Sequence, residues 1–163
     1  SGGSLFRLYR DTRFSKDKSP YKTHTGIQFR HEQRKDAHAP GFYLHLEPGQ
    51  CFVGLGIWHP DGNTLKKLRE GLVEDPKGWK KAVSGSAFRK RLELSGDRLV
   101  RAPRGYDPEH PLIEDLKWKD YVAVARLSQK DVLQPNFIKE FANYCRAGLP
   151  FMSFLCGALD LPF

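Results

Sequence analysis

The sequence lacks the features that define several protein classes. Only three of its 163 residues are cysteine, Cys51, Cys145 and Cys156. Their odd number and apolar neighbours argue against a disulfide-stapled fold and for buried, reduced thiols in a cytoplasmic compartment. Long apolar runs are also missing: the longest, Leu149 to Leu159, is about half of the ~20 residues that cross a bilayer, so no membrane partner is expected. No secretory signal stands at the start, where Ser1-Gly2-Gly3-Ser4 reads as a linker or cloning scar. No repeat, low-complexity tract or Ser/Pro-rich linker divides the rest, so residues 5–163 are expected to form one domain. Neither Cys-x-x-Cys nor a helical His-x-x-x-His spacing occurs, so no metal site is expected. The Gly-x-Ser-x-Gly elbow of a serine hydrolase is absent as well, and no cofactor is implied.

What is present is an ordinary globular composition with an uneven charge. The chain is 39% hydrophobic, 12% aromatic and 28% charged, with a formal net charge of +8. Residues 1–45 hold 9 Lys/Arg against 4 Asp/Glu, and four of the six histidines (His24, His31, His38, His45). A second basic stretch, Ser86 to Arg104, holds 6 Lys/Arg against 2 acids. Two basic clusters around a neutral middle suit an acidic partner: a nucleotide, a phosphorylated metabolite or nucleic acid. A pI of about 9.5 also serves solubility alone.

Hydrophobic periodicity predicts strands at Leu5–Tyr9, Thr23–Phe29, Phe42–Glu47, Cys51–Trp58 and Lys119–Leu127, with Arg10–Tyr21 as a loop. Pro48-Gly49 marks a tight turn between the third and fourth of these strands. Leu65, Leu68 and Leu72 recur at helical spacing, with Asn63 or Thr64 as the cap. Shorter helices are expected around Trp79 and Phe88. Leu92–Leu94 and Arg98–Val100 read as a small hairpin, and Arg101–Pro111 as a proline-rich loop. Phe137, Ile138, Phe141 and Cys145 form one face of a helix that should stop at Gly148, followed by a last helix over Phe151–Leu159. Strands first and helices later, without β-α-β alternation, give an α+β fold: an antiparallel sheet with helices mainly on one face.

Three groups of residues could carry chemistry. Arg10, Asp11, Arg13, Asp17, Lys18 and Lys22 crowd one segment punctuated by Phe14 and Tyr21. Arginine forks grip phosphate or carboxylate in two places, and an interleaved acid can hold them in position. An internal ion-pair network is the alternative. On the central hairpin, Tyr43, His45 and Glu47 share a strand face, and Gly54 and Gly56 would leave a bare strip of backbone for a ligand. A β-bulge, or an aromatic ring filling that strip, is the alternative. Gly54-x-Gly56 is not a dinucleotide fingerprint, since position 59 is His and a strand continues where a helix must begin. Arg101, Arg104, Gly105, Tyr106 and His110 occupy a loop stiffened by Pro103, Pro108 and Pro111. Its arginines either wait for an anion or pair with Asp107 and Glu109.

Read together, these phrases resemble a known family. Arg7-x-x-Arg10-Asp11-x-Arg13-Phe14-Ser15-x-Asp17-Lys18-x-Pro20-Tyr21-Lys22 is similar to the signature of a bacterial and fungal conserved domain of unknown function. Phe42-Tyr43-x-His45-Leu46-x-Pro48-Gly49, Gly54-x-Gly56-x-Trp58 and Arg101-x-Pro103-x-Gly105-Tyr106-x-Pro108-x-His110-Pro111 follow in the family's order. The resemblance implies a helical stretch before the first strand, which this chain is expected to lack. It supports the location of a site and supplies no reaction.

The leading expectation is a binding protein for a phosphate-bearing small molecule or nucleic acid, held by Arg10, Arg13, Lys18, Lys22, Arg101 and Arg104. Tyr43, Gly54, Gly56, Tyr106 and His110 would line the same cleft. The alternative is an enzyme on a phosphorylated or anionic substrate, with His45 as acid/base and Asp11 or Asp17 orienting it. A basic face docking an acidic protein is a third possibility. The sharpest expectation is convergence: Arg10, Arg13, Arg101 and Arg104 should meet beside Tyr43 or His45.

Overall fold

A computed structural model of the chain describes residues 24–30 and 39–163. The expected strand Leu5–Tyr9 and the loop Arg10–Tyr21 lie outside those residues. Among the described residues, five strands form one antiparallel sheet in the order β1-β2-β3-β5-β4: β1 (Thr25–Arg30), β2 (Gly41–Leu46), β3 (Cys51–Ile57), β4 (Glu93–Ser95) and β5 (Tyr121–Leu127). Pro48 and Gly49 make the expected turn between β2 and β3. Gly49 takes a φ of +81°, and Gln50 N–H closes the turn on Glu47 O at 2.9 Å.

The sheet divides cleanly by its pleat. Leu44, Val53, Leu55, Ala123 and Ala125 fall on one face and are buried. Helices cover that face: α1 (Gly62–Glu74), α2 (Pro76–Ser84), α3 (Ser86–Arg91) and the long α6 (Phe137–Ala158). Leu68 and Leu72 of α1, Trp79 of α2, Phe88 of α3 and Phe151, Met152 and Leu155 of α6 fill the core between the layers. The fold is therefore α+β, as the strand-then-helix order implies. Among the described residues, no helix is long and apolar enough to cross a membrane.

Three local expectations give way to tertiary demands. Asp61, not Asn63 or Thr64, caps α1, its carboxylate accepting from Thr64 N–H at 2.7 Å. Arg98–Val100 does not pair with β4. Instead β4 adds to β5, and only Arg98 forms a bridge, to Trp118. Most tellingly, α6 runs through both Gly148 and Pro150 as one helix of 22 residues. Gly148 is buried against Leu55, whose side chain occupies the space a Cβ would need. That glycine lets helix and sheet approach closely instead of ending the helix. Two short helices, α4 (Ile113–Leu116) and α5 (Gln129–Val132), occupy connections, and a reciprocal Ser128–Asp131 capping box starts the latter.

The link between α4 and β5 is tied to α1. Arg69 Nε donates to Leu116 O at 2.8 Å and its Nη2 to Trp118 O at 3.1 Å. Tyr121, buried at the start of β5, donates its hydroxyl to Asp115 O at 3.1 Å. These bonds fix the base of the proline-rich loop that precedes α4.

Candidate functional site

The sheet face opposite the helices carries a polar row. Period-two alternation places Tyr43 and His45 on that side of β2, opposite Gly54 and Phe52 of β3. The Tyr43 hydroxyl lies 3.1 Å from His45 Nδ1, and His45 Nε2 lies 3.2 Å from Glu47 Oε2. A carboxylate only accepts, so Nε2 carries the proton, and in the neutral ring Nδ1 accepts from Tyr43. The imidazole is 12% exposed and stacks between His24, at 5.0 Å, and Phe52, at 4.8 Å. Burial pushes the Tyr43 phenol above its ordinary pKa. Glu47 is the carboxylate that meets His45 among the described residues. Its signal was the i, i+2 spacing from His45. Asp11 and Asp17 lie outside the described residues, as do Arg10, Arg13, Lys18 and Lys22.

Gly54 and Gly56 do not form one bare strip. Gly54 is buried, and a Cβ there would touch the Phe52 ring at 3.7 Å and Tyr43 Cβ at 3.9 Å. Gly56 has a φ of +117°, and its Cβ would overlap Tyr121 O and lie 3.1 Å from the Phe151 ring. That glycine serves strand-to-core packing, not ligand access.

The proline-rich loop is well pinned. Tyr106 N–H bonds Pro103 O at 3.1 Å, Asp107 Oδ1 accepts from Glu109 N–H at 2.9 Å, and His110 Nδ1 accepts from Leu112 N–H at 3.1 Å. Tyr106 packs on the core, where burial, with Glu70 adding to it, raises its phenol pKa. Arg98 lies over the Trp118 ring at 3.8 Å and pairs with Glu114 at the same distance. Arg101 and Arg104 are different. Both are exposed, and among the described residues neither side chain has an ion pair or hydrogen bond. Asp107 Oδ1 bonds the loop backbone, and the alternative pairing of these arginines with Asp107 and Glu109 is not found among the described residues. Gly105, with a φ of +89°, has open space where a Cβ would point.

Among the described residues, these two groups do not meet. Tyr106 packs on the helix side beside Arg69 and Glu70 of α1, whereas Tyr43 and His45 lie on the opposite face, two strands away from β5. The expected meeting of Arg101 and Arg104 with Tyr43 or His45 is therefore not seen there.

A third group was not singled out from sequence. Trp58 and His59 leave the end of β3 and are both exposed, beside the buried carboxylate of Asp120. No linear pattern joins residues 61 positions apart. A shallow groove of about 170 Å³, lined by Leu46, Pro48, Cys51, Val132 and Leu133 among others, is too apolar for an anion. No group of three or more His, Cys, Asp or Glu among the described residues could hold a metal ion.

A single α+β domain with a polar row on one sheet face and a loop whose two arginines have no partner among the described residues is the class these features define. The chain belongs to the conserved hypothetical protein family DUF2461, whose model matches residues 1–154. It is also 30% identical over 73 residues to the crossover junction endodeoxyribonuclease RuvC of Acidiphilium cryptum (strain JF-5), a stretch covering 44% of this chain. The match spans 39% of that relative's length. Comparison with the solved structures finds no match.

Proposed function

We propose that this protein binds an anionic, phosphate-bearing ligand through Arg101 and Arg104. The observation that supports this reading is two exposed guanidinium groups with no acidic partner among the described residues, on a loop whose backbone is already bonded in place. Most solvated cations are unpaired by accident. A stiff loop is different, because little conformational entropy is lost when it closes on a ligand. The guanidinium fork matches phosphate oxygens two at a time. The test is calorimetric titration with pyrophosphate, a nucleoside triphosphate and duplex DNA. Duplex DNA is included because the partial relative is named for DNA cleavage. Arg101→Ala and Arg104→Ala should each weaken binding about tenfold or more, since a hydrogen bond to a charged group contributes ~1.5–3 kcal/mol. Duplex binding would fall with salt at a log–log slope of about −0.9 per phosphate contact. Unchanged affinity in the double variant would end the proposal.

The row Tyr43–His45–Glu47 favours a second reading, an enzyme on a phosphorylated or anionic substrate with His45 as acid/base. Glu47 orients the ring and stabilises its cation, the role a carboxylate plays beside a catalytic imidazole. Turnover of p-nitrophenyl phosphate would be lost in His45→Gln and reduced in Glu47→Gln. Equal rates in all three proteins would refute this reading.

A further inference from the structure

At the end of β3 the chain holds two aromatic rings outward. Trp58 is 73% exposed, whereas Trp79 and Trp118 are buried. The His59 imidazole stacks against it with ring centres 4.3 Å apart and planes tilted by 33°. His59 has a φ of +50°, a left-handed conformation that non-glycine residues adopt rarely and keep only when surrounding contacts enforce it.

Those contacts come from Asp120, which is 2% exposed. Its Oδ1 accepts His59 N–H at 2.8 Å and lies 3.5 Å from His59 Nδ1. Its Oδ2 accepts Asp97 N–H at 3.2 Å. Gly96, with a φ of +125°, packs so closely that a Cβ would lie 2.8 Å from Asp120 Cβ. Three chain segments thus converge to hold one exposed pair of rings. Val100 is more exposed still, at 95%, but an aliphatic side chain offers no π-face. Single exposed apolar residues are ordinary; a pinned pair of aromatic rings in tilted contact on a chain of net charge +8 is not.

We propose that Trp58 and His59 form a platform on which an unpaired base of a single-stranded nucleic acid stacks. This rests on the phosphate-binding reading above and names the ligand class. Basic surfaces that follow the backbone, combined with aromatic rings that accept any base by its π-face, are the physical means of binding single strands. Asp120 contributes by keeping the imidazole, and through it the indole, from turning back toward the protein.

The experiment uses the full chain and three probes: a short oligodeoxyadenylate, an abasic strand of the same length, and pyrophosphate. The oligodeoxyadenylate should quench part of the tryptophan emission, and that loss should come from Trp58, because Trp79 and Trp118 are buried and have no free ring face for a base. Trp58→Ala should weaken oligodeoxyadenylate binding about tenfold, within the range alanine substitution gives for one stacked base, and leave the abasic strand and pyrophosphate unaffected. Trp58→Phe should retain most of the affinity. Arg101→Ala/Arg104→Ala should weaken all three probes. If the abasic strand binds as tightly as the oligodeoxyadenylate, the platform is overturned while phosphate binding stands. If none of the probes binds, both readings fall. Oligodeoxyadenylate affinity unchanged in Trp58→Ala also overturns the platform, and would leave the indole to fit a pocket on a partner protein.

Discussion

The middle of β3, at Gly54, and its end, at Gly56, are two residues apart on one strand, yet they meet different surroundings. Gly54 lies on the polar sheet face, with the Phe52 ring and Tyr43 Cβ at ordinary contact distance. Gly56 has a left-handed φ of +117°, and a Cβ there would overlap Tyr121 O and lie 3.0 Å from Val122 Cα. In the first case a missing side chain leaves a gap that a neighbour partly fills. In the second it is a condition of the fold. Two residues of one type at strand spacing therefore carry different burdens, set by what lies across from them in β5 and α6.

The largest expected effect comes from breaking that difference at its strained end. Gly56→Ala should cost roughly 2–4 kcal/mol, because the backbone conformation and the steric overlap both oppose a Cβ. Urea denaturation would read it as a fall in midpoint at unchanged slope. Gly54→Ala should shift stability by less than about 1 kcal/mol, in the stabilising direction if the Phe52 ring adjusts, since alanine restricts the unfolded chain. Equal losses at the two positions would show that the faces of β3 do not differ as described.

The smallest effect concerns the far support of Gly56. Tyr121 is anchored through its hydroxyl to Asp115 O, and burial holds the Asp115 carboxyl above the usual carboxylate pKa. A carboxyl raised in the folded state binds its proton more tightly there than in the unfolded chain. Its contribution to stability therefore declines as pH rises from the ordinary carboxylate pKa through the raised folded value. Asp115→Asn should remove this decline, so the variant gains on the parent as pH rises above the ordinary carboxylate pKa. Parallel pH–stability curves for the two proteins would contradict it.

Much of this architecture was legible in residue patterns because strand alternation and tight-turn chemistry are local. Leu44, Val53 and Leu55 declared the buried face, and Pro48-Gly49 declared the hairpin. The polar row was legible in part: Tyr43, His45 and Glu47 alternate with apolar neighbours, so their shared face followed from period two. Their mutual bonds did not, and expectation turned to Asp11 and Asp17 because those acids sit among cations. The Trp58–His59 pair was invisible as a site, since the carboxylate that fixes it is 61 positions away from His59.

Local chemistry decided which residues alternate, which face is apolar, where the central hairpin turns and that the chain carries a basic surplus. Each follows from a side chain and its nearest few neighbours. Tertiary packing decided the rest. It carried α6 through Gly148 and Pro150, because close approach to Leu55 and burial of Phe151 and Leu155 outweigh two local breakers. It sent β4 to β5 instead of into its own hairpin, and it left Arg101 and Arg104 exposed with no side-chain partner among the described residues. Propensity is worth about a kilocalorie per glycine, and burial of a few large side chains exceeds it.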